Sequence, residues 1–326
     1  MRQQGVGSLV ARAPWWLHFL MRVVVALMRR ISLLFQFAYV FFLGVPVLLT
    51  IRRITLPCKM LSGHGSVLIL CERRVAKVAS SMRSTIGVEF DNVQRIKLIG
   101  GEVSASMPSL SLHRSAILTY LLSDRYYKVA LPDVLDCAVE VRRKLSSAGL
   151  KRRGASLDRY PQLQNGLEQI LQLFGEEVAN RMTLVVKRYL ADGEYHTGLC
   201  HGDFHSRNIM RDQRGEARVI DLDCVRFEGI VELDCLYFSL EWEWSATGAL
   251  WLDTLALAFD TRGCNLEQRL GRFSLRWHEA LGLVYFLDRV GQENINYGFK
   301  YPNVKLQFLV AAFQRADNLK INEESA

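Results

Sequence analysis

No acidic residue occurs before Glu72. The first sixty positions carry eight of the chain's 41 basic residues; the other 33 balance the 33 acidic ones, so the net charge of +8 belongs to the N-terminal segment alone. A basic chain invites a nucleic-acid reading. Here the charge is not spread over a domain face and is interleaved with long apolar runs, so no nucleic-acid partner is expected. No Cys-x-x-Cys pair occurs among the seven cysteines, and their number is odd. That argues against a disulfide scaffold or a zinc site and fits a reducing compartment. Cys200 and Cys224 read as packing residues. Internal repeats and low-complexity tracts are also missing. Charge is missing again over the 21 residues from Ile31 to Ile51, mostly Leu, Phe, Val and Tyr.

What is present is concentrated in His201-Gly202-Asp203-Phe204-His205-Ser206-Arg207-Asn208 and in Val219-Ile220-Asp221-Leu222-Asp223. Asp203 and Asn208 lie five residues apart on one loop, and Asp221 follows thirteen residues after Asn208, at the end of a short β-branched run. Residues of these types in this order suit phosphoryl transfer. That chemistry needs a carboxylate to orient and deprotonate an alcohol, and oxygen ligands to hold Mg²⁺ against a triphosphate. Mg²⁺ takes hard oxygen donors and keeps several waters, so one carboxylate and one amide carbonyl suffice. Asp203 is then the base, Asn208 and Asp221 the metal ligands, and ATP and Mg²⁺ the cofactors. The same stretch also reads as a simple hairpin, with Asp212-Gln213-Arg214-Gly215 as its turn and Arg218 to Leu222 as its second strand.

H-G-D-x-H-x-x-N followed by I-D-x-x resembles the aminoglycoside phosphotransferase and choline kinase group, kinase-fold enzymes that phosphorylate small molecules. It departs from the protein-kinase pattern of H-R-D-x-x-x-x-N and D-F-G: Gly202 replaces the Arg, and Ile-Asp-Leu-Asp replaces D-F-G. The resemblance implies an α+β, two-lobed, protein-kinase-like fold, with a small β-rich N-lobe over residues 54–122 and a larger helical C-lobe over 123–326. It also implies that His201 and Asp234 brace the catalytic loop. His205 either braces it or approaches the phosphates. Asp223 is either a further metal ligand or solvated.

The N-terminal half supplies matching parts. Ile54 to Leu61 reads as a strand, followed by a turn containing Gly63 and Gly65. Val67 to Cys71 and Val75 to Ala79 are β-branched runs joined by Glu72-Arg73-Arg74. Val75-Ala76-Lys77-Val78 resembles the third kinase strand, which implies that Lys77 touches the α/β-phosphates. Glu89, on an expected helix from Gly87 to Leu98, is its pairing candidate; Glu72 and Glu102 are nearby but lack a helix alongside the strand. Ala116 to Leu122 reads as an apolar strand leading to a hinge, with Tyr120 and Leu122 in the Thr119–Leu122 stretch offering backbone groups to adenine. Beyond Leu131 the pattern turns helical, with Val134, Leu135, Ala138, Val141 and Leu145 in register. The basic linker Lys151–Gly154 precedes a second helix, Leu157 to Phe174, with Leu163, Leu167, Ile170, Leu171 and Phe174 on one side.

A 21-residue uncharged helix is long enough to cross a hydrocarbon core of about 30 Å, and membrane helices tolerate interruptions such as Gly44 and Pro46. Ahead of it, Trp15 to Met28 suits an interfacial helix or half-span. No small-residue cleavage site follows convincingly, which argues against a signal peptide. Residues 1–53 thus read as a basic, apolar, helical membrane-associating segment. A full span with the Arg-rich end inside would put the kinase-like part outside, away from ATP. A monotopic or re-entrant arrangement keeps both ends on the cytoplasmic side of the cell membrane, with each basic residue contributing on the order of 1 kcal/mol against inner-leaflet headgroups. A buried helix packed on the following domain is the alternative.

The acceptor must be recognised by the C-terminal helices. Glu241-Trp242-Glu243-Trp244 is their most distinctive piece: the Trp faces either stack on sugars or cations or pack in the core, and the Glu side chains are candidates for hydroxyls or amines. The reading this supports is an ATP- and Mg²⁺-dependent O-phosphotransferase acting on a hydroxyl of a small-molecule or lipid-linked sugar, with cell-envelope glycan synthesis as one setting. A kinase of a soluble amino alcohol or aminoglycoside, and a membrane-tethered silent scaffold, are the alternatives.

Overall fold

The computed structural model describes residues 59–62, 66–80, 84–114, 119–147, 150–151, 157–192, 195–247, 251–260 and 264–297, with isolated positions between 31 and 45. The glycine turn at Gly63 and Gly65, the linker Lys151–Gly154 beyond its first residue and nearly all of segment 1–53 lie outside the described residues, as do the side chains of Glu243 and Trp244. The chain forms two compact units, Met1–Phe90 with Ser109–Arg125, and Asp91–Pro108 with Tyr126–Ala326.

The first unit is built on strands β1 (Lys59–Ser62), β2 (Ser66–Leu70), β3 (Arg74–Ala79), β4 (Leu110–Arg114) and β5 (Thr119–Asp124). They form one antiparallel sheet in the order β1-β2-β3-β5-β4. Between β3 and β4 runs helix α1 (Ile86–Ile99), with Ser84 Oγ 3.5 Å from the Ile86 N–H at its start. Alternation decides the faces: Val67, Ile69, Ala76, Val78, Tyr120 and Leu122 form one buried cluster, and a period of two sends Lys77 to the other face. The tight turn after β2 closes through Cys71 N–H to the Arg74 carbonyl at 2.9 Å.

The second unit is mainly helical. After helix α2 (Gly101–Ala105) come β6 (Tyr127–Lys128), α3 (Leu131–Ser146), β7 (Leu150–Lys151), α4 (Pro161–Phe174), α5 (Glu176–Asp192), β8 (His196–Cys200), β9 (Ile209–Arg211), β10 (Ala217–Val219), β11 (Arg226–Ile230), α6 (Val231–Thr247), α7 (Trp251–Asp260), α8 (Cys264–Arg272) and α9 (Glu279–Tyr297). Two small sheets, β10-β9-β6 and β11-β8-β7, frame the loops between β8 and β11. The stretch Asp91–Pro108 clusters here rather than with the first sheet. Asn92 donates to the Leu222 carbonyl at 2.8 Å, the Ser106 carbonyl accepts from Val219 N–H at 3.5 Å, and the Arg95 guanidinium lies over the Phe227 ring.

The helix expected from Leu157 begins instead at Pro161, after a separate turn of 3₁₀ helix. The residue before a proline is disfavoured in helical conformation, whereas the first helical position suits Pro. Leu163, Leu167 and Ile170 face the core as expected, but Leu171 is exposed. Helices α4 and α9 approach closely at two glycines. A Cβ on Gly166 would sit 2.2 Å from the Leu287 carbonyl oxygen, and one on Gly291 would sit 1.9 Å from that of Gln162.

Candidate active site

The loop between β8 and β9 carries the motif, and its backbone is held from three sides. Asp234, in the first turn of α6, accepts from the His201 N–H at 2.7 Å and from the Gly202 N–H at 3.0 Å. The Arg142 guanidinium, on α3, completes the bracket by donating to Asp234 at 2.8 Å and to the Leu199 carbonyl at 2.7 Å. Arg142 and Asp234 are both buried, so the pair satisfies charges that solvent scarcely reaches. His201 Nε2 meets the Ile220 carbonyl at 2.8 Å while its Nδ1 accepts from the Asp203 N–H at 3.3 Å. The bracing geometry expected of His201 and Asp234 is thus present.

Gly202 explains why this position is not Arg. Its φ is +79°, and a Cβ would lie 2.2 Å from the Cys224 carbonyl oxygen. Only glycine adopts that conformation at that distance without strain.

Asp203 points among His205, Tyr237 and Arg289. His205 Nδ1 accepts from the Arg207 N–H at 3.2 Å, which leaves the proton on Nε2, 3.3 Å from Asp203 Oδ2. His205 therefore braces the loop and also holds Asp203. The Arg289 guanidinium lies 4.0 Å from Asp203 Oδ1 and 4.4 Å above the Tyr237 ring centre. Burial by itself would raise the Asp203 pKa; the hydrogen bond and electrostatic pull of His205, the Arg289 charge and the Tyr237 hydroxyl more than offset it and hold the carboxyl well below the usual range. Asp203 is ionised at neutral pH.

Asn208 is buried, and its amide nitrogen donates to the Asp203 carbonyl at 3.0 Å. That fixes the side chain and leaves its oxygen as the ligand atom. The Asn208 carbonyl accepts from the Ile220 N–H at 3.0 Å, which brings Asp221 beside it. Asp221 adopts a left-handed conformation, φ +62° and ψ +60°, tolerated better by Asp than by most residues but still strained. Among the described residues no cluster of three or more His, Cys, Asp or Glu is arranged to hold a metal. One amide oxygen and one carboxylate nevertheless fit Mg²⁺, which completes its shell with phosphate oxygens and water.

In the first unit, Lys77 Nζ donates to Glu89 Oε2 at 2.8 Å, and both side chains are largely buried. Glu102 instead meets Arg143, in the second unit. The hinge assignment is corrected. Tyr120 pairs with Val78 and His113, and Leu122 with Ala76 and Ser111. A strand flanked on both sides commits its backbone groups to the ladders, and these two side chains sit in the core. Neither residue offers backbone groups to adenine; the strand leaves the ladder only after Asp124.

Glu241 is also corrected. It is fully buried and accepts from Ser206 Oγ at 2.8 Å and from the Ser206 N–H at 3.2 Å, so it braces the loop rather than facing an acceptor. Trp242 is half-buried, its ring 6.4 Å from that of Phe238. Cys200 and Cys224 are free thiols whose pKa values are pushed up, chiefly by burial, as suits packing residues. Tyr237, Arg289 and Arg142 were not found from sequence. For Tyr237 a signal existed: Asp234, Tyr237 and Glu241 fall on one face of α6 at i, i+3 and i+7. Arg289 has no such signal.

Residues 108–232 match the profile of the phosphotransferase enzyme family. A comparison with curated proteins gives no match. Among solved structures, the chain is similar to the choline kinase of Streptococcus pneumoniae (15% identity, covering 85% of this chain and 98% of that one, TM-score 0.49). It is also similar to a choline/ethanolamine kinase family protein of Mesorhizobium loti (12%, 81% and 88%, TM-score 0.46) and to an aminoglycoside phosphotransferase of Streptomyces rimosus (14%, 76% and 96%, TM-score 0.48). The matched stretch contains the whole loop from His201 to Asn208 together with Asp221, so this part of the chain resembles the phosphotransferase enzyme family in sequence as well as in its motif.

Proposed function

We propose that the protein is an ATP- and Mg²⁺-dependent O-phosphotransferase acting on a hydroxyl of a small-molecule or lipid-linked sugar. The observation that carries this is the placement of Asp203, 3.3 Å from His205 Nε2, on a loop whose backbone N–H groups are tied to Asp234 and Glu241. In this reading Asp203 accepts a hydrogen bond from the acceptor hydroxyl and takes its proton. The alcohol oxygen bonds to the γ-phosphorus, the bond to the β–γ bridging oxygen breaks, and ADP leaves. Asn208 and Asp221 would hold Mg²⁺, which would supply positive charge against the phosphates. Lys77, oriented by Glu89, supplies a cation for the nucleotide phosphates. Positioning and charge supply most of the catalysis in such reactions.

Two further elements of the proposal concern place. The uncharged run Ile31–Ile51 and the eight basic residues around it suit the cytoplasmic side of the cell membrane. Leu34, Phe35, Phe41 and Phe42 are exposed, which supports an apolar contact outside the chain itself. Among the described residues no helix is long and apolar enough to cross a membrane, and a surface-lying or re-entrant segment does not require one. An acceptor at the inner leaflet, such as an envelope glycolipid sugar, follows from that location.

The test is transfer of labelled γ-phosphate from ATP to membrane lipid extract and, separately, to a soluble metabolite pool, each with and without Mg²⁺. Mg²⁺-dependent label in the lipid fraction is expected. Label only in soluble amines would replace the acceptor class. No Mg·ATP binding at all would leave a silent scaffold.

A further inference from the structure

One turn of α9 reaches the catalytic loop and the segment after Asp221 at the same time. Asp288 receives Arg226, from β11, through both guanidinium nitrogens, at 2.5 Å and 3.0 Å. Gln292, one turn further on, accepts from the same guanidinium at 3.0 Å, and its amide nitrogen lies 4.0 Å from Cys224 Sγ. A two-pronged guanidinium–carboxylate pair fixes direction as well as distance. Asp288 is buried and the Arg226 side chain nearly so, so salt screens this clamp little. It pins α9 to β11 at the position immediately before Arg289.

Arg289 stands beside the base. Its guanidinium lies 4.0 Å from Asp203 Oδ1 and 4.4 Å above the Tyr237 ring centre. The first distance is too long for a hydrogen bond, so the pull on the carboxylate is one of charge. The aromatic face holds the plane of the guanidinium. His205 Nε2 meets the other oxygen, Oδ2, at 3.3 Å. The terminal torsion of an Asp side chain is broad, and a single contact leaves the carboxylate free to turn about it. A second attraction at the opposite oxygen removes that freedom. The cavity that Arg289 lines with Gly202, Arg226, Asp234 and Asp288 has room for about one water molecule, too little for an acceptor group. Arg289 therefore serves the carboxylate rather than a ligand.

Within the phosphotransferase reading, on which this rests, we propose that Arg289 is a positioning residue. Its charge holds the Asp203 carboxylate at the angle from which it accepts the hydrogen bond of the acceptor hydroxyl, and the Arg226–Asp288 clamp sets where that charge stands. Group transfer is sensitive to such placement, since a displacement of about 1 Å can cost about 10²-fold in rate.

The experiment follows labelled γ-phosphate from Mg·ATP into whichever of membrane lipid extract and soluble metabolite pool accepts label from the wild type. The maximal rate and the KM for Mg·ATP are measured for the full chain carrying Arg289→Met, Arg289→Lys or Asp288→Asn, each with Asp203 and with Asp203→Asn. Arg289→Met keeps the apolar stem but removes the charge. It should lower the rate by about tenfold or more and leave the KM within about twofold. Arg289→Lys keeps the charge and should recover most of the rate. With Asp203→Asn in place, Arg289→Met should change the rate by less than about twofold, because no carboxylate charge is left to hold; a merely structural Arg289 would lower the rate alike in both backgrounds. Asp288→Asn, which weakens the clamp, should follow the same pattern and decides the matter if Arg289→Met fails to fold. A wild-type rate in folded Arg289→Met, no recovery by Arg289→Lys, or equal losses in both backgrounds overturns the proposal and leaves the phosphotransferase reading intact. No transfer and no Mg·ATP binding by the wild type overturns both.

Discussion

Asp203 sets a pH dependence at the scale of one residue. Its pKa is lowered on folding, so the stability it contributes is fully present above the unfolded carboxylate value, about 3.9, and is lost as pH falls through the lower folded value. Activity should therefore show no acid limb from Asp203 between about pH 5 and 8. His205→Ala removes the 3.3 Å contact and should move the Asp203 titration upward while lowering kcat by roughly tenfold; a pH–rate profile superimposable on the parent's would deny His205 that role. Gly202→Ala forces a Cβ towards the Cys224 carbonyl at a φ of +79° and should cost about 3 kcal/mol or more, read as a lower denaturant midpoint; an unchanged midpoint would mean the loop has another conformation. Asp203, Asn208 and Asp221 were legible because their spacing is local. Arg289 was not, since α9 meets the loop only through the tertiary fold.

At the scale of elements, the Arg142–Asp234 bracket ties α3 and α6 to the loop. Asp234→Ala leaves the Arg142 charge buried without its carboxylate and should destabilise by about 3–5 kcal/mol, measured by denaturant unfolding. A loss under 1 kcal/mol, on the scale of an exposed pair, would show that water reaches the bracket. The α4–α9 crossing makes a second forecast. Gly166→Ala places a methyl where the Leu287 carbonyl sits, so α9 must shift; overpacking of this kind costs about 1–3 kcal/mol. Because α9 also carries Arg289, which stands 4.0 Å from Asp203 Oδ1, the same variant should lower kcat. Unfolding and kcat both unchanged would contradict the close approach. The β2 and β3 assignments were legible from their β-branched runs and the polar turn Glu72-Arg73-Arg74 between them. The end of β5 was not: an apolar run marks a strand but does not mark where a ladder stops, and here it continues to Asp124. Glu241 and Arg142 were misread or missed because a charged residue on a helix looks solvated until a buried partner is known.

For the whole molecule, the charge balance beyond residue 60 makes the N-terminal segment separable in principle. The full chain should sediment with membranes and resist release by salt alone, since apolar burial rather than charge retains it. A full chain that stays in the soluble fraction would favour a helix packed on its own domain. The division into a β-sheet unit and a helical unit was legible in the sequence, whereas the grouping of Asp91–Pro108 with the helical unit depends on contacts such as Asn92 with Leu222 that no local pattern announces. The central claim is that the Asp203 loop transfers phosphate. Its most direct test compares wild type and Asp203→Asn for Mg²⁺-dependent transfer of labelled γ-phosphate, with Mg·ATP affinity measured in parallel by calorimetry. Transfer should fall by about 10³-fold with affinity nearly unchanged; Asp203→Asn transferring within about tenfold of wild type would contradict the account.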